Sequence, residues 1–153
     1  MQVPQTASCP FCEYLQGVTN CAFVSRSSRV AAFVNLRQYE QGAMLIVPVL
    51  HAPTLLDVDV ELLAECWQES RRIGRALIRA FGATGLNVFT NAGVDAGQTV
   101  PHFHIHVVPR YPGGDPRRLF QEKNHEPVAI EVRRDIGARV RAALADLDTA
   151  APP

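Results

Sequence analysis

Hydrophobic and polar positions along the chain follow two periods. Residues 21–25 (CAFVS), 29–35 (RVAAFVN) and 43–49 (AMLIVPV) are short apolar runs bounded by polar residues or by glycine and proline, a pattern that predicts strands. Between the last two, LRQYEQG reads as a connecting loop. From Asp57 to Phe81 the period lengthens. Leu62, Cys66, Ile73, Leu77 and Phe81 fall near helical spacing, while Glu65, Glu69, Arg72 and Arg79 lie elsewhere around the helix. Asp57 or Asp59 is placed to cap its start and Gly82 to end it. A strand is expected at 86–91 (LNVFTN), then a loop AGVDAGQTVP, then a strand at 102–108 (HFHIHVV). A second amphipathic helix is expected over 131–147, with Val132, Ile136, Val140, Leu144 and Leu147 on one face. This order predicts an α+β fold with a mainly antiparallel sheet, one long helix and a C-terminal helix. Residues 1–148 are read as a single domain and 149–153 as a frayed tail.

Composition narrows the class. At 153 residues the chain can bury a core without disulfides, and 47% hydrophobic with 20% charged residues is an ordinary globular mixture. Fifteen basic residues balance fifteen acidic ones, so the basic excess expected of a nucleic-acid-coating protein is missing. Arg133, Arg134, Arg139 and Arg141 are read as a solvated helix face. No apolar run of about 18 residues is present, which argues against a membrane span. The N-terminal MQVPQTASCPFC lacks the basic-then-apolar order of a secretory signal, so a cytoplasmic setting with reduced thiols is expected. Of the four cysteines, Cys21 and Cys66 lie in apolar stretches and are expected in the core. Trp67 is expected to pack, and His125, in a polar loop, carries no assigned role.

Three of the five histidines, His102, His104 and His106, alternate with apolar residues. In a strand they share one face, and Phe103, Ile105 and Val107 turn the other way into a core. Imidazoles packed side by side disfavour simultaneous protonation, so the arrangement points to chemistry. Two readings stand. Histidines at this spacing grip a divalent ion, or a neutral imidazole attacks phosphorus while one ring nitrogen is held as a donor. The preceding loop 91–99 (NAGVDAGQT) favours the second. Its glycines let backbone N–H groups approach an anion, and Asn91, Gln98 and Thr99 add uncharged donors.

The segment HFHIHVV at 102–108 resembles the motif of the histidine triad (HIT) family of nucleotide hydrolases and transferases. NAGVDAGQTVPHFHIHVVPR resembles that family's active-site segment, and AAFVN with LIVP resembles its nucleoside-holding strand pair. The resemblance covers roughly residues 9–115. It implies an α+β fold that forms a homodimer by extending the sheet across two protomers. It also implies a purine nucleotide substrate attacked at the α-phosphorus by His104, giving a nucleotidyl-histidine that water hydrolyses to a nucleoside monophosphate. His102 would hold His104 in its tautomer and His106 would bond the phosphate or leaving group. Asn35 matches the ribose-contacting position, Asn91 one near the α-phosphate, and Gly97, Gln98 and Thr99 the phosphate loop. Gly42-Ala43 departs from the family's frequent Gly-His at the turn into LIVP.

Cys9-Pro-Phe-Cys12 reads either as a redox pair, which should precede a helix in a βαβ unit, or as half a structural zinc site. Some family members carry such a pair, completed by two histidines; the matching residues are His51 and His102. The resemblance thus implies a structural zinc held by Cys9, Cys12, His51 and His102, with no cofactor for the chemistry itself. AGQTV and AAFVN resemble the branch that splits dinucleoside polyphosphates. The cysteine pair resembles bacterial members, and a further branch cleaves nucleoside phosphoramidates. The rival readings are a nucleotide-binding regulator with negligible turnover and a metalloenzyme built on the three histidines.

Overall fold

A computed structural model describes residues 1–115 and 126–149 of the chain. His125 and residues 150–153 of the expected tail lie outside the described residues. The elements are α1 (Pro10–Gln16), β1 (Phe23–Arg26), β2 (Val30–Val34), β3 (Met44–Pro48), α2 (Val60–Phe81), β4 (Gly85–Phe89), β5 (Ile105–Arg110) and α3 (Ile130–Thr149). Short 3-10 turns at Leu55–Asp57 and Val94–Ala96 interrupt the connections before α2 and before β5. The five strands form one antiparallel sheet in the order β1-β2-β3-β5-β4, the α+β plan expected from the periodicity.

Two helices cover one face of the sheet. Ala32 and Val34 of β2, Met44 and Ile46 of β3, and Ile105 and Val107 of β5 point to this side. They meet Leu62, Cys66, Ile73 and Leu77 of α2 and Ile136, Val140 and Leu144 of α3. Alternate residues of the same strands face the other way. Ala31, Phe33, Leu45 and Val47 form a second apolar cluster with Phe11 and Leu15 of α1. With both faces covered, β2 and β3 are buried at every position, which is why they read as continuous apolar runs rather than as alternation.

α2 starts later than Asp57. Thr54 and Asp57 form a capping box around the preceding 3-10 turn, and Asp59 caps the helix by accepting from Leu62 N–H at 2.8 Å. Gly82 ends it in the left-handed conformation, φ 68°. α1 has no counterpart in the strand and helix pattern of the sequence. It starts with Pro10 in the first turn, buries Phe11 and Leu15 one helical turn apart, and stops at Gly17, φ 76°.

Two further expectations are corrected. Trp67 is 42% exposed and does not enter the core. Of the α3 arginines expected on a solvated face, Arg134, Arg139 and Arg141 are exposed and Arg133 is not. Arg133 is buried, with Nε donating to the Val128 carbonyl; Arg139 lies 4.1 Å over the Phe81 ring and donates to Ala80; Arg141 donates to Phe23. Long side chains reach partners on neighbouring elements while their stems cover apolar surface. Cys66 is fully buried as expected, and Cys21 packs partly buried against the second cluster. Among the described residues no helix is long and apolar enough to cross a membrane.

Candidate active site and metal cluster

β5 lies between β3 and β4, so the histidine segment is held from both sides. The strand begins at Ile105 rather than at residue 102. Upstream the chain leaves the ladder: His102 N–H turns back to Val100 and Phe103 N–H donates to Ala52 at 2.6 Å. The facing is as the alternation predicts. Phe103, Ile105 and Val107 enter the core beneath the helices, while His104 and His106 line a pocket on the opposite face.

Each imidazole has a different environment. Nε2 of His102 lies 3.0 Å from the Pro48 carbonyl, which can only accept. Nε2 therefore carries the proton, and the lone pair of Nδ1 faces Cys9 Sγ at 3.4 Å and Cys12 Sγ at 3.6 Å. Nδ1 of His104 lies 2.7 Å from the main-chain carbonyl of His102. By the same logic Nδ1 is the donor and Nε2 keeps its lone pair. Contact between the two residues thus runs through the His102 carbonyl, its ring being turned to the cysteines. His106 stacks in parallel on Phe89, centroids 4.6 Å apart at 7°, and its buried Nδ1 has no hydrogen-bond partner among the described residues. An unmet acceptor is tolerated better than an unmet donor, which leaves the proton on Nε2.

Burial pushes all three histidines below the ordinary value, His102 to about 4 and His106 to about 3, and the neighbouring histidines add to both. His104 moves in the same direction because of burial, against the bond to the His102 carbonyl. At neutral pH the triad is uncharged, which leaves His104 Nε2 free to act as a nucleophile.

The pocket holds about 210 Å³. Phe11, Tyr14 and Phe33, whose rings touch one another, form an aromatic wall, and Asn35, Thr99 and the two histidines line the pocket with them. Asn35 also accepts from Arg37 N–H at 3.2 Å, so it caps the turn after β2 while lining the pocket. Gly97 ends the 3-10 turn with φ 84°, and Asn91 lies beside it. Gln98 departs from the role expected of it. It is 3% exposed, accepts from Gly93 N–H at 2.7 Å and donates to the carbonyls of Pro53 and Val100 at 2.7 and 2.9 Å. Its amide holds the loop together instead of offering a donor to the pocket. Ala43, in place of the family's frequent histidine, is buried with Val108 against Tyr39 and Phe89.

Sequence reasoning missed Phe11 and Tyr14, which arrive with α1, and Phe89 and Tyr39, which flank His106. The apolar pair Phe11 and Leu15 four residues apart after Pro10 was the available signal for the first of these. A wider concavity of about 470 Å³ between β1 and α2 includes none of the histidines, and its Glu65, Glu69 and Arg72 are already ion-paired.

On the far side of His102, one ligand atom each from Cys9, Cys12, His51 and His102 lies within 4.8 Å of all the others. Cys12 Sγ is 3.4 Å from His51 Nδ1. Zinc bonds of about 2.3 Å to sulfur and about 2.0–2.1 Å to nitrogen put tetrahedral ligands roughly 3.3–3.8 Å apart, and the sulfur–nitrogen contacts Cys9–His102, Cys12–His102 and Cys12–His51, at 3.4, 3.6 and 3.4 Å, fall in that range. Burial raises the Cys12 thiol to about 11, and the adjacent Cys9 adds to this. Two thiolates here would need a cation, and the two-sulfur, two-nitrogen donor set suits a closed zinc site. α1 does follow Cys9, but it leads into an antiparallel sheet, not a βαβ unit.

A model of the HIT domain matches residues 16–113. Among curated relatives, "Protein hit" of Bacillus subtilis is 34% identical over 108 residues, 71% of this chain and 74% of its own length. An asymmetrical bis(5'-nucleosyl)-tetraphosphatase of Schizosaccharomyces pombe is 38% identical over 85 residues, 56% of this chain. That match spans only 47% of the yeast protein. The crystal structure of a Zn-bound histidine triad family protein from Mycobacterium smegmatis superposes with a TM-score of 0.81 at 32% identity, covering 94% of this chain and 98% of that one.

His106 generates a pH prediction. Unfolded, it titrates near 6.5; folded, it stays neutral down to about 3. Its contribution is therefore complete above about 6.5 and is lost as pH falls towards about 3. In urea denaturation between pH 6 and 4, His106→Gln is expected to lose stability less steeply than the wild type, by about 1.4 kcal/mol per pH unit. Parallel slopes would mean that His106 titrates normally.

Proposed function

The chain belongs to the HIT domain family, and from that premise we propose that it hydrolyses a nucleotide at its α-phosphate through His104. The observation that carries this reading is the 2.7 Å bond from His104 Nδ1 to the His102 carbonyl, which leaves the Nε2 lone pair available at a pocket lined by aromatic rings and Asn35. Nε2 attacks the α-phosphorus, the bond from phosphorus to the leaving group breaks, and a nucleotidyl-histidine forms. His106, with its proton on Nε2, bonds the phosphate or leaving group. Water then attacks the same phosphorus, the P–N bond breaks, and a nucleoside monophosphate leaves.

The aromatic wall of Phe11, Tyr14 and Phe33 suits a purine base, and Asn35 the ribose hydroxyls. Asn91, Gly97 and Thr99 take the phosphate oxygens, while Gln98 keeps that loop in shape. The substrate is a dinucleoside polyphosphate or a nucleoside phosphoramidate. The yeast tetraphosphatase supports the first class.

Cys9, Cys12, His51 and His102 hold a structural zinc, a reading supported by their spacing and by the zinc-bound mycobacterial relative. Bound there, zinc supplies the positive charge that keeps both thiols ionised. His102 links this cluster to the nucleophile, and α1 brings Phe11 and Tyr14 from it to the pocket. Homodimerisation through the sheet edge is supported by β4, which is a terminal strand, and by the exposed Val88 on it.

Chromatography of adenosine phosphoramidate and of diadenosine tri- and tetraphosphate digests is expected to show AMP with the wild type. His104→Ala should lose at least about 10³-fold in turnover while AMP binding persists. Activity surviving in His104→Ala would overturn the mechanism. No AMP from any substrate, with tight nucleotide binding, would favour a regulatory binder.

Elemental analysis should find about one zinc per chain, absent from a Cys9→Ala/Cys12→Ala variant. A native protein without zinc would contradict the metal assignment.

A further inference from the structure

β4 pairs with β5 from Gly85↔Arg110 to Phe89↔His106, and there the ladder stops. Thr90 follows immediately, outside either strand. Its Oγ1 donates to the main-chain carbonyl of His104 at 2.7 Å. We infer that Thr90 is a positioning residue for His104: its hydroxyl stands in for the ladder rung that β4 no longer supplies and fixes the peptide from which the nucleophilic imidazole hangs. The inference rests on the reading of His104 as nucleophile.

The bond that sets the His104 tautomer is local, reaching back only to the carbonyl of His102. It orients the ring relative to its own segment. It cannot by itself orient that segment relative to the sheet. Three other contacts do so. The His102 ring is held by Pro48 and faces the cysteines, and Phe103 N–H is held by Ala52. Those two lie before His104. Thr90 holds the carbonyl on the other side, just as the chain enters β5.

His104 is almost fully buried, so its carbonyl cannot simply exchange this donor for bulk water. Without the hydroxyl, the peptide between His104 and Ile105 is free to rotate towards another donor, carrying the Cα–Cβ direction of His104 with it. Thr90 also precedes Asn91, the first residue of the loop proposed to take the phosphate. One hydrogen bond therefore sets the loop and the nucleophile relative to each other. Thr90 is not part of the pocket wall, so it acts through His104 and not on the substrate.

The test compares Thr90→Val, which keeps the shape but cannot donate, with Thr90→Ser, which restores the hydroxyl. Both are assayed as zinc-loaded full chains with adenosine phosphoramidate, beside His104→Ala. A misaligned nucleophile lowers the chemical step while the preformed pocket still binds. Thr90→Val is expected to lose roughly tenfold or more in kcat, with the AMP dissociation constant within about twofold of wild type, and Thr90→Ser to recover most of the rate. If Thr90→Val does not fold, Thr90→Ala takes its place against Thr90→Ser with the same expectations. Wild-type kcat without the hydroxyl would overturn the inference, as would a loss that serine does not restore. With His104→Ala inactive, such a result would leave the nucleophile reading standing. An active His104→Ala would remove that reading and this inference together.

Discussion

The hydrogen bond between His104 Nδ1 and the carbonyl of His102 is the constraint on which the rest of the site depends. An imidazole presents either nitrogen as a base, and burial alone does not choose between them. A carbonyl two residues back makes the choice, because it accepts and cannot donate. That carbonyl is useful only if it stays where it is, and the fold holds His102 firmly. Its ring donates to Pro48 on β3 and faces two cysteines brought by α1, and the next N–H is bonded to Ala52. His102 thus works with its main chain towards His104 and with its ring towards the Cys9, Cys12 and His51 side chains.

This double use makes the N-terminal helix part of the pocket as well as of the cluster. Cys12 and Phe11 are adjacent on α1: one faces His51 and His102, while the other stacks edge-on against His104 at 5.2 Å and lines the pocket. Loss of the cluster would therefore disturb the aromatic wall of the pocket as well. The low protonation tendency of the triad has the same origin. Aromatic rings enclose the histidines, and the apolar surroundings disfavour a charged imidazole.

Much of this was legible in the sequence where the signal is periodic and local. The buried strands, α2 and the facing of the histidine segment follow from residue spacing, since alternation decides which side of a sheet a side chain occupies. α1 was not legible because a seven-residue helix with two buried apolar residues carries too little periodicity. Arg133 departs from the expected solvated face because hydropathy treats arginine as polar wherever it lies, while its Nε reaches the Val128 carbonyl from a buried position. Gln98 looked like a free donor because one of its partners, Pro53, is 45 residues away along the chain. For the same reason the orientation of the His102 ring could not be read locally, since it depends on α1 crossing to β5. Thr90 carries no motif, and its place at the end of β4 appears only once the ladder register is known.

Whether His104 attacks the substrate is decided by the stereochemical course at phosphorus. A substrate carrying a sulfur at the α-phosphorus, in a single configuration, would be hydrolysed in ¹⁸O-labelled water and the nucleoside phosphorothioate product analysed by phosphorus NMR. Attack by His104 followed by attack of water inverts the centre twice, so overall retention is expected, however short-lived the intermediate. Inversion would mean a single direct displacement by water, and would contradict a nucleotidyl-histidine.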